Sequence, residues 1–130
     1  MQDGDFMVEN QLSSGLEDYL ECIYNNIQEK GSVKAIDISK DLNVSRASVT
    51  DALKRLSSKG YINYERYGKI TLLETGIEKS KTVIEKHKIL TSFFEKVLKL
   101  SKEEATENAC RIEHVITENA FIQLKRFLND

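Results

Sequence analysis

Proline is absent from this 130-residue sequence, and cysteine and histidine occur only twice each. Without proline, helices must be ended by glycine and by capping residues, a role that Gly31, Gly60 and Gly76 can fill. The two cysteines, Cys22 and Cys110, are too few for a disulfide framework. We therefore expect both to be free thiols, each a core residue or a ligand.

Long apolar runs are also missing. No apolar stretch approaches the roughly 20 residues that a membrane-spanning helix needs. The first ten residues are acidic, whereas a secretory signal begins with basic residues. We expect a cytoplasmic protein that is neither exported nor inserted in a membrane. The apolar content of 40% and charged content of 31% are typical of a folded chain, and the length allows one core or a small domain with a helical appendage.

The net charge of -2 hides an uneven distribution. Residues 1–29 carry seven acidic and no basic side chains, residues 30–69 carry nine basic and four acidic ones, and residues 70–130 carry ten of each. A basic segment inside an acidic protein indicates a nucleic-acid-binding module, because neutralising phosphates supplies much of the affinity. The alternative is a chance cluster of solvated lysines.

The basic segment also has the pattern of a helix-turn-helix. Apolar residues recur at spacings of three and four in residues 16–29, 34–42 and 46–59, which predicts three helices. Asn43, Val44 and Ser45 form a polar turn that can cap the third helix. Two helices joined by such a short turn are typical of DNA-binding proteins, although many helical bundles contain a similar corner.

The next residues strengthen this interpretation. Residues 61–65 and 69–73 alternate as two strands around Arg66, Tyr67 and Gly68, which predicts a basic-tipped hairpin, or wing. A long helix then begins near Glu74. Ser101 opens another helix with a capping box, expected to continue to about residue 117, and the apolar residues from Phe121 to Leu128 predict one more helix. The fold class is therefore mainly α with a small β-hairpin, a winged helix-turn-helix in residues 13–75 followed by a helical domain in residues 76–130.

The second helix of a helix-turn-helix enters the major groove with its N-terminal residues on base edges. Arginine can pair with guanine there, and small hydroxyl side chains permit close approach. Lysine and arginine one turn later, and at the wing tip, are placed for phosphate or minor-groove contacts. A carboxylate among these residues must accept from cytosine or point away. The candidate DNA-binding residues are Ser45, Arg46, Ala47, Ser48, Thr50, Asp51, Lys54, Arg55, Arg66 and Lys69.

A C-x-x-E-H pattern places three ligand-type side chains, Cys110, Glu113 and His114, on one face of the predicted helix, at i, i+3 and i+4. Taken singly, each has an ordinary explanation: a core thiol, a solvated charge and a surface ring. A nucleophilic Cys-His hydrolase is disfavoured, because positions i and i+4 of a helix lack the strained presentation and oxyanion donors that a nucleophile needs.

Further candidate ligands lie elsewhere in the chain. His87 falls among apolar residues of the long helix, and Asp18 and Glu21 form an i, i+3 pair beside the inward face of the first helix. Thiolate, imidazole and carboxylate together suit a first-row transition ion such as Fe(II), Mn(II), Co(II) or Zn(II), and not Ca²⁺ or Mg²⁺. The residues alone do not narrow the metal further.

With these motifs, the sequence resembles the DtxR/MntR family of iron- and manganese-dependent transcriptional repressors, over roughly residues 13–128. The resemblance rests on three segments in the right order: L-E-D-Y-L-E-C-I-Y at 16–24, V-S-R-A-S-V-T at 44–50 and A-C-R-I-E-H at 109–114. It implies a homodimer with winged-helix domains, a helical dimerisation domain and a divalent metal, Mn(II) or Fe(II), that favours binding to double-stranded operator DNA of metal uptake genes. Carried over, the metal ligands are Asp18, Glu21, His87, Cys110, Glu113 and His114.

The chain departs from both well-known branches of the family. The manganese branch has a carboxylate at the position of Cys110, and the iron branch has a methionine at that of Asp18. From the short chain we expect no SH3-like domain of the kind found in the iron branch. The choice between manganese and iron stays open. Our hypothesis is that a shared ion ties the first helix to the dimerisation domain and so sets the separation of the two recognition helices. The alternative is a winged-helix regulator that responds to an organic ligand or to oxidation of Cys110.

Overall fold

The computed structural model of the chain describes residues 12–65 and 68–129. It confirms the predicted fold class, mainly α with a small β-hairpin. The elements in chain order are α1 (Ser14–Lys30), α2 (Ala35–Leu42), α3 (Arg46–Ser58), β1 (Ile62–Tyr64), β2 (Ile70–Leu72), α4 (Glu74–Lys96), α5 (Lys102–Ile112) and α6 (Glu118–Asn129).

The first three helices begin and end at capping residues. The Ser13 hydroxyl accepts from the N–H of Leu16 at the start of α1, which stops at Gly31 with φ of 82°. The Ser45 hydroxyl accepts from the N–H of Ser48 at the start of α3. Such caps pair the backbone groups that a helix end leaves without partners. The structure confirms the predicted polar turn between α2 and α3, with Ser45 as the cap of α3.

One apolar core holds these three helices together. Its fully buried side chains come from α1, α2, α3 and β1, and burying each stabilises the fold by about 2 kcal/mol. This core fixes the orientation of α3 relative to α1. The side chains are Leu20, Ile23, Ile38, Val49, Leu53, Leu56 and Ile62.

The hairpin follows α3 with antiparallel pairing of Ile62 with Leu72 and of Tyr64 with Ile70. Both strands are shorter than predicted. The flanking residues still make one hydrogen bond each across the hairpin, from the N–H of Glu65 to the carbonyl of Lys69 and from the N–H of Leu73 to the carbonyl of Tyr61, but two of them also belong to the neighbouring helices. The N–H of Tyr61 donates to the carbonyl of Leu56 in α3, and Leu73 is already the N-terminal cap of α4. The tip residue Arg66, predicted to contact DNA, lies outside the described residues.

The helical part consists of α4, α5 and α6, with α4 packed against α5 and also against α1. Its buried apolar residues are Val83, Leu90, Ala105, Ala109 and Phe121. α4 is the longest described helix, with 23 residues. No helix within residues 12–65 or 68–129 is both long and apolar enough to cross a bilayer.

The predicted continuation of α5 to about Thr117 is wrong, because the helix ends at Ile112. The N–H groups of Val115 and Ile116 both turn back to the carbonyl of Ile112, and the Thr117 hydroxyl accepts from the N–H of Ala120 at the start of α6. His114 therefore lies in a turn and not on the face of a helix. The direction of the His114 side chain is therefore set by the backbone of the turn and not by the geometry of a helix.

Candidate metal centre

All six predicted metal ligands line a single cavity of about 590 Å³. Two of them come from α1, one comes from α4, and three come from the end of α5 and the turn after it. The structure thus brings together side chains that are nearly one hundred positions apart in sequence. The six are Asp18, Glu21, His87, Cys110, Glu113 and His114.

The most compact group within the cavity is formed by His87, Cys110 and Glu113, whose ligand atoms all lie within 4.8 Å of one another. Nδ1 of His87 is 2.8 Å from Oε1 of Glu113 and 3.8 Å from Sγ of Cys110. Glu113 is buried, whereas Cys110 is exposed. α4 and α5 pack against each other and hold these three groups in place, and each helix has a fully buried apolar residue near the group, Leu90 in α4 and Ala109 in α5.

His114 forms the other side of the cluster, towards α1. Its Nε2 lies 3.1 Å from Oδ1 of Asp18 and 4.0 Å from Oε2 of Glu113. The carboxylate of Glu113 therefore stands between the two histidines, with one oxygen towards His87 and the other towards His114. The connection therefore runs from Asp18 in α1 to His114, and from His114 through the buried carboxylate of Glu113 to His87 in α4.

The electrostatics of the cavity show an excess of negative charge. Burial, and then the charge of Glu113, raise the pKa of Glu21. Burial raises the pKa of Glu113 itself, although its hydrogen bond with His87 acts in the opposite direction. Partial desolvation of the thiol raises the pKa of Cys110, although the residue is exposed as a whole, and the carboxylates of Glu113 and Glu21 add to the effect. A cation in the cavity would relieve all three penalties.

His114 shows the complementary effect. Burial lowers its pKa, but the hydrogen bond with Glu17 and the charge of Asp18 outweigh burial, so that the pKa of His114 is raised overall. A proton on this imidazole offsets part of the negative charge of the carboxylates around it. Two imidazoles, one thiol and three carboxylates are the donor set of a first-row transition ion, so the residues present fit such an ion.

Glu17 is a residue of this region that the sequence analysis missed. Its carboxylate is buried, with Oε1 at 2.5 Å from Nδ1 of His114 and Oε2 at 3.0 Å from Nζ of Lys79. The sequence does contain a signal for Glu17. It lies three residues before Leu20 and seven before Tyr24, so its side chain falls on the apolar face of α1. A carboxylate in such a position needs a buried partner.

The candidate DNA surface is accessible. All the predicted DNA contacts in α3 and its cap are exposed except Thr50, which is half-buried, and Lys69 is exposed on the hairpin. Asp51 points along the helix and pairs with Arg55 at 3.0 Å. Its carboxylate is thereby partly neutralised. The Ser45 hydroxyl, in contrast, is already engaged in capping α3.

The two cysteines are free, as expected, but they differ in environment. Cys22 is buried in the core between α1 and α2, where its thiol lies 3.7 Å from Oδ2 of Asp41. Burial and the charge of Asp41 raise its pKa to about 12. Cys22 is therefore an inert core thiol, and Cys110 is the one in a position to act as a ligand.

Comparisons with known proteins identify the family of the chain. Residues 11–70 match the iron-dependent repressor N-terminal DNA-binding domain, and residues 73–130 match the iron-dependent repressor metal-binding and dimerisation domain. An uncharacterized helix-turn-helix transcriptional regulator of Methanocaldococcus jannaschii is 40% identical over 118 residues, which cover 90% of this chain and 94% of that protein. The transcriptional regulator MntR of Shouchella clausii is 34% identical over 81% of this chain and 73% of its own length.

Among solved structures, T. acidophilum IdeR matches with a TM-score of 0.74 and 29% identity over 88% of this chain. The chain spans about half, 54%, of that structure's length. Members of the matched family are metal-dependent transcription regulators and not enzymes, which confirms the predicted class and favours it over the organic-ligand or thiol-oxidation alternative. With both of its parts matched and a relative 40% identical over nine tenths of its length, the chain belongs to the iron-dependent repressor family.

Proposed function

We propose that this chain is a homodimeric, metal-responsive repressor whose affinity for operator DNA is set by a divalent transition ion in the six-residue cluster. The observation that carries the proposal is that α1 of the winged helix and the α4–α5 part line the same cavity. The proposed division into residues 13–75 and 76–130 places the boundary in the first turn of α4. A regulator that binds DNA acts where the DNA is, so we place it in the cytoplasm.

The chain's own residues explain why an ion would matter. Asp18 and Glu21 of α1 face Glu113 across the cavity, and like charges at short range oppose the approach of α1 to α5. A bound divalent ion supplies the positive charge that turns this repulsion into attraction. Because α1 shares one core with α3, holding Asp18 near His114 also holds α3 in place. In a dimer this restricts the separation of the two recognition helices.

A direct test measures DNA affinity with and without metal. A duplex is first selected from a random-sequence pool with the full chain in Mn(II), and its affinity is then measured by fluorescence anisotropy in Mn(II), in Fe(II) under anaerobic conditions and in a chelator. We expect binding at least tenfold tighter with metal, which corresponds to about 1.4 kcal/mol of coupling. Equal affinity in chelator would contradict the proposal.

The identity of the ion depends on Cys110. Thiolate ligands favour softer ions such as Fe(II) and Zn(II), whereas carboxylates suit Mn(II). Anaerobic calorimetry should therefore compare the wild-type protein with Cys110→Ser for Mn(II), Fe(II) and Zn(II). If the thiol is a ligand, the substitution weakens Fe(II) and Zn(II) binding more than Mn(II) binding. Cys22→Ser serves as a control, since that thiol lies in the core.

The DNA-facing residues make a separate proposal. Arg46 at the first turn of α3 is exposed and placed for base contacts, whereas Lys54, Arg55 and Lys69 are placed for phosphates. Arg46→Ala should reduce the preference for the selected duplex over a scrambled one. Lys54→Ala should weaken binding to both duplexes alike and lower the salt dependence by about one phosphate contact.

A further inference from the structure

Glu17 connects three elements at one buried point. Its side chain is 9% exposed, and each carboxylate oxygen has its own partner: Oε1 pairs with His114 in the turn after α5, and Oε2 pairs with Lys79 in α4. Glu17 itself does not line the ligand cavity, whereas its neighbour Asp18 does. Its role is therefore different from that of the six candidate ligands.

The chemistry of the two groups determines which of them is the hydrogen-bond donor. A carboxylate can only accept, so the His114 Nδ1 must carry a proton and donate it to Glu17. Nε2 faces Asp18 at 3.1 Å and Glu113 at 4.0 Å. Because the contact with buried Glu17 is shorter than the contact with the more exposed Asp18, the neutral ring keeps its proton on Nδ1 and its lone pair on Nε2. Metal-bound histidines commonly donate their second nitrogen to a carboxylate in this way, which fixes both tautomer and ring orientation.

We propose that Glu17 is a positioning residue of the metal centre, which holds His114 with Nε2 directed into the cavity. This inference rests on the proposed metal site. The contact of Glu17 with His114 connects α1 directly to one of the candidate ligands, independently of any bound ion. Helix α1 thus contributes in two ways, by facing the cavity with Asp18 and Glu21 and by orienting a ligand of the helical part through Glu17.

Lys79 explains how a carboxylate can be held there. Its ammonium group, 3.0 Å from Oε2, offsets the cost of burying the charge of Glu17 and draws the carboxylate towards α4. By contrast, the ion pairs of Arg55 with Asp51 and of Arg111 with Glu107 have side chains more than 60% exposed, and each joins residues of one helix. The Lys79–Glu17–His114 chain joins three elements in the interior.

The test uses the full chain loaded with Co(II), whose visible absorption reports ligand geometry, together with affinity measured by calorimetry. Glu17→Gln keeps the shape but removes the charge, and Glu17→Asp keeps the charge but withdraws it by one methylene. We expect both to lower Co(II) affinity about tenfold to hundredfold and to change the absorption spectrum. Glu29→Gln, which removes an exposed carboxylate from the same helix, should leave affinity and spectrum unchanged.

Nitrogen NMR of the metal-free protein gives a readout that does not depend on the ion. At a pH where the ring is neutral, His114 should be protonated on Nδ1 in the wild-type protein, and Glu17→Asp should increase the Nε2-protonated form. If the wild-type protein binds Co(II) but both Glu17 variants bind it equally well, the positioning role is overturned and the metal site stands. If the wild-type protein binds no divalent ion, the proposed function and this inference fall together. Wild-type-like binding by Glu17→Asp alone would show that only the charge matters, which also overturns the inference.

Discussion

The junction between the hairpin and α4 depends on Gly76, and replacing Gly76 by alanine tests how tightly the two are joined. Gly76 is buried in the first turn of α4. A Cβ atom at this position would lie 2.2 Å from the carbonyl oxygen of Tyr61 and 3.0 Å from Cδ2 of Leu72. The nearest atom belongs to the backbone, so it cannot move aside as a flexible side chain would.

The expected magnitude follows from two opposing effects. Alanine stabilises a helix over glycine by roughly 1 kcal/mol. Against this, forcing a methyl group into a packed site costs about 1–3 kcal/mol. The displaced Tyr61 carbonyl also accepts from the N–H of Leu73 at 3.1 Å, a hydrogen bond that contributes about 1 kcal/mol. We expect Gly76→Ala to lower the free energy of unfolding by about 2 kcal/mol.

Thermal unfolding followed by circular dichroism, at fixed protein concentration and in chelator, provides the assay. A loss of this size lowers Tm by roughly 5–10 °C in a protein of this length. Gly15→Ala is the matched control, because Gly15 also lies in the first turn of a helix but has no atom within 4 Å of its would-be Cβ. Equal Tm values for the two variants would refute the close contact between α4 and the hairpin.

Two further predictions concern charge. The pKa values of Glu21, Glu113 and His114 are raised in the folded protein, so the folded protein binds more protons than the unfolded one. In chelator, the free energy of unfolding should therefore fall as the pH rises above the ordinary pKa of each group, about 4.5 for the two glutamates and about 6.5 for His114. Urea unfolding across this pH range checks the prediction, and stability that rises with pH would contradict it. Asp51→Asn releases Arg55 from its exposed ion pair, so stability should change by less than about 0.5 kcal/mol, while anisotropy should show roughly fivefold tighter DNA binding at low salt. Unchanged affinity would mean that Asp51 does not face phosphates.

The fold of the first half could be predicted because each element carries local signals. The apolar spacing of α1 to α3 and the hydroxyl caps Ser13 and Ser45 depend only on neighbouring residues. The end of α5 had no such signal. Val115 and Ile116 continue the apolar pattern after Ile112, and no glycine or proline interrupts them. Yet Val115 is 74% exposed, which periodicity could not reveal.

The same turn limited what could be predicted of the candidate site. The six ligand-type residues were identified from residue type and resemblance, and a helical C-x-x-E-H would present its three side chains together. In the structure Cys110 and Glu113 face His87, whereas His114 faces α1. The contact of His114 with Glu17 spans 97 positions. No local pattern encodes such a contact, because it depends on how α1 packs against the helical part.

The proposed coupling between the candidate metal centre and the DNA surface requires no long pathway in this fold. Helix α1 is 17 residues long, and it carries Asp18 on the cavity side and Leu20 and Ile23 in the core shared with α3. A packed helix moves as a rigid unit, so fixing Asp18 relative to His114 also fixes the surface on which α3 rests. Two discrete arrangements of α1 against α4 and α5 are then enough to give the recognition helix two positions. The ion needs only to favour one of them.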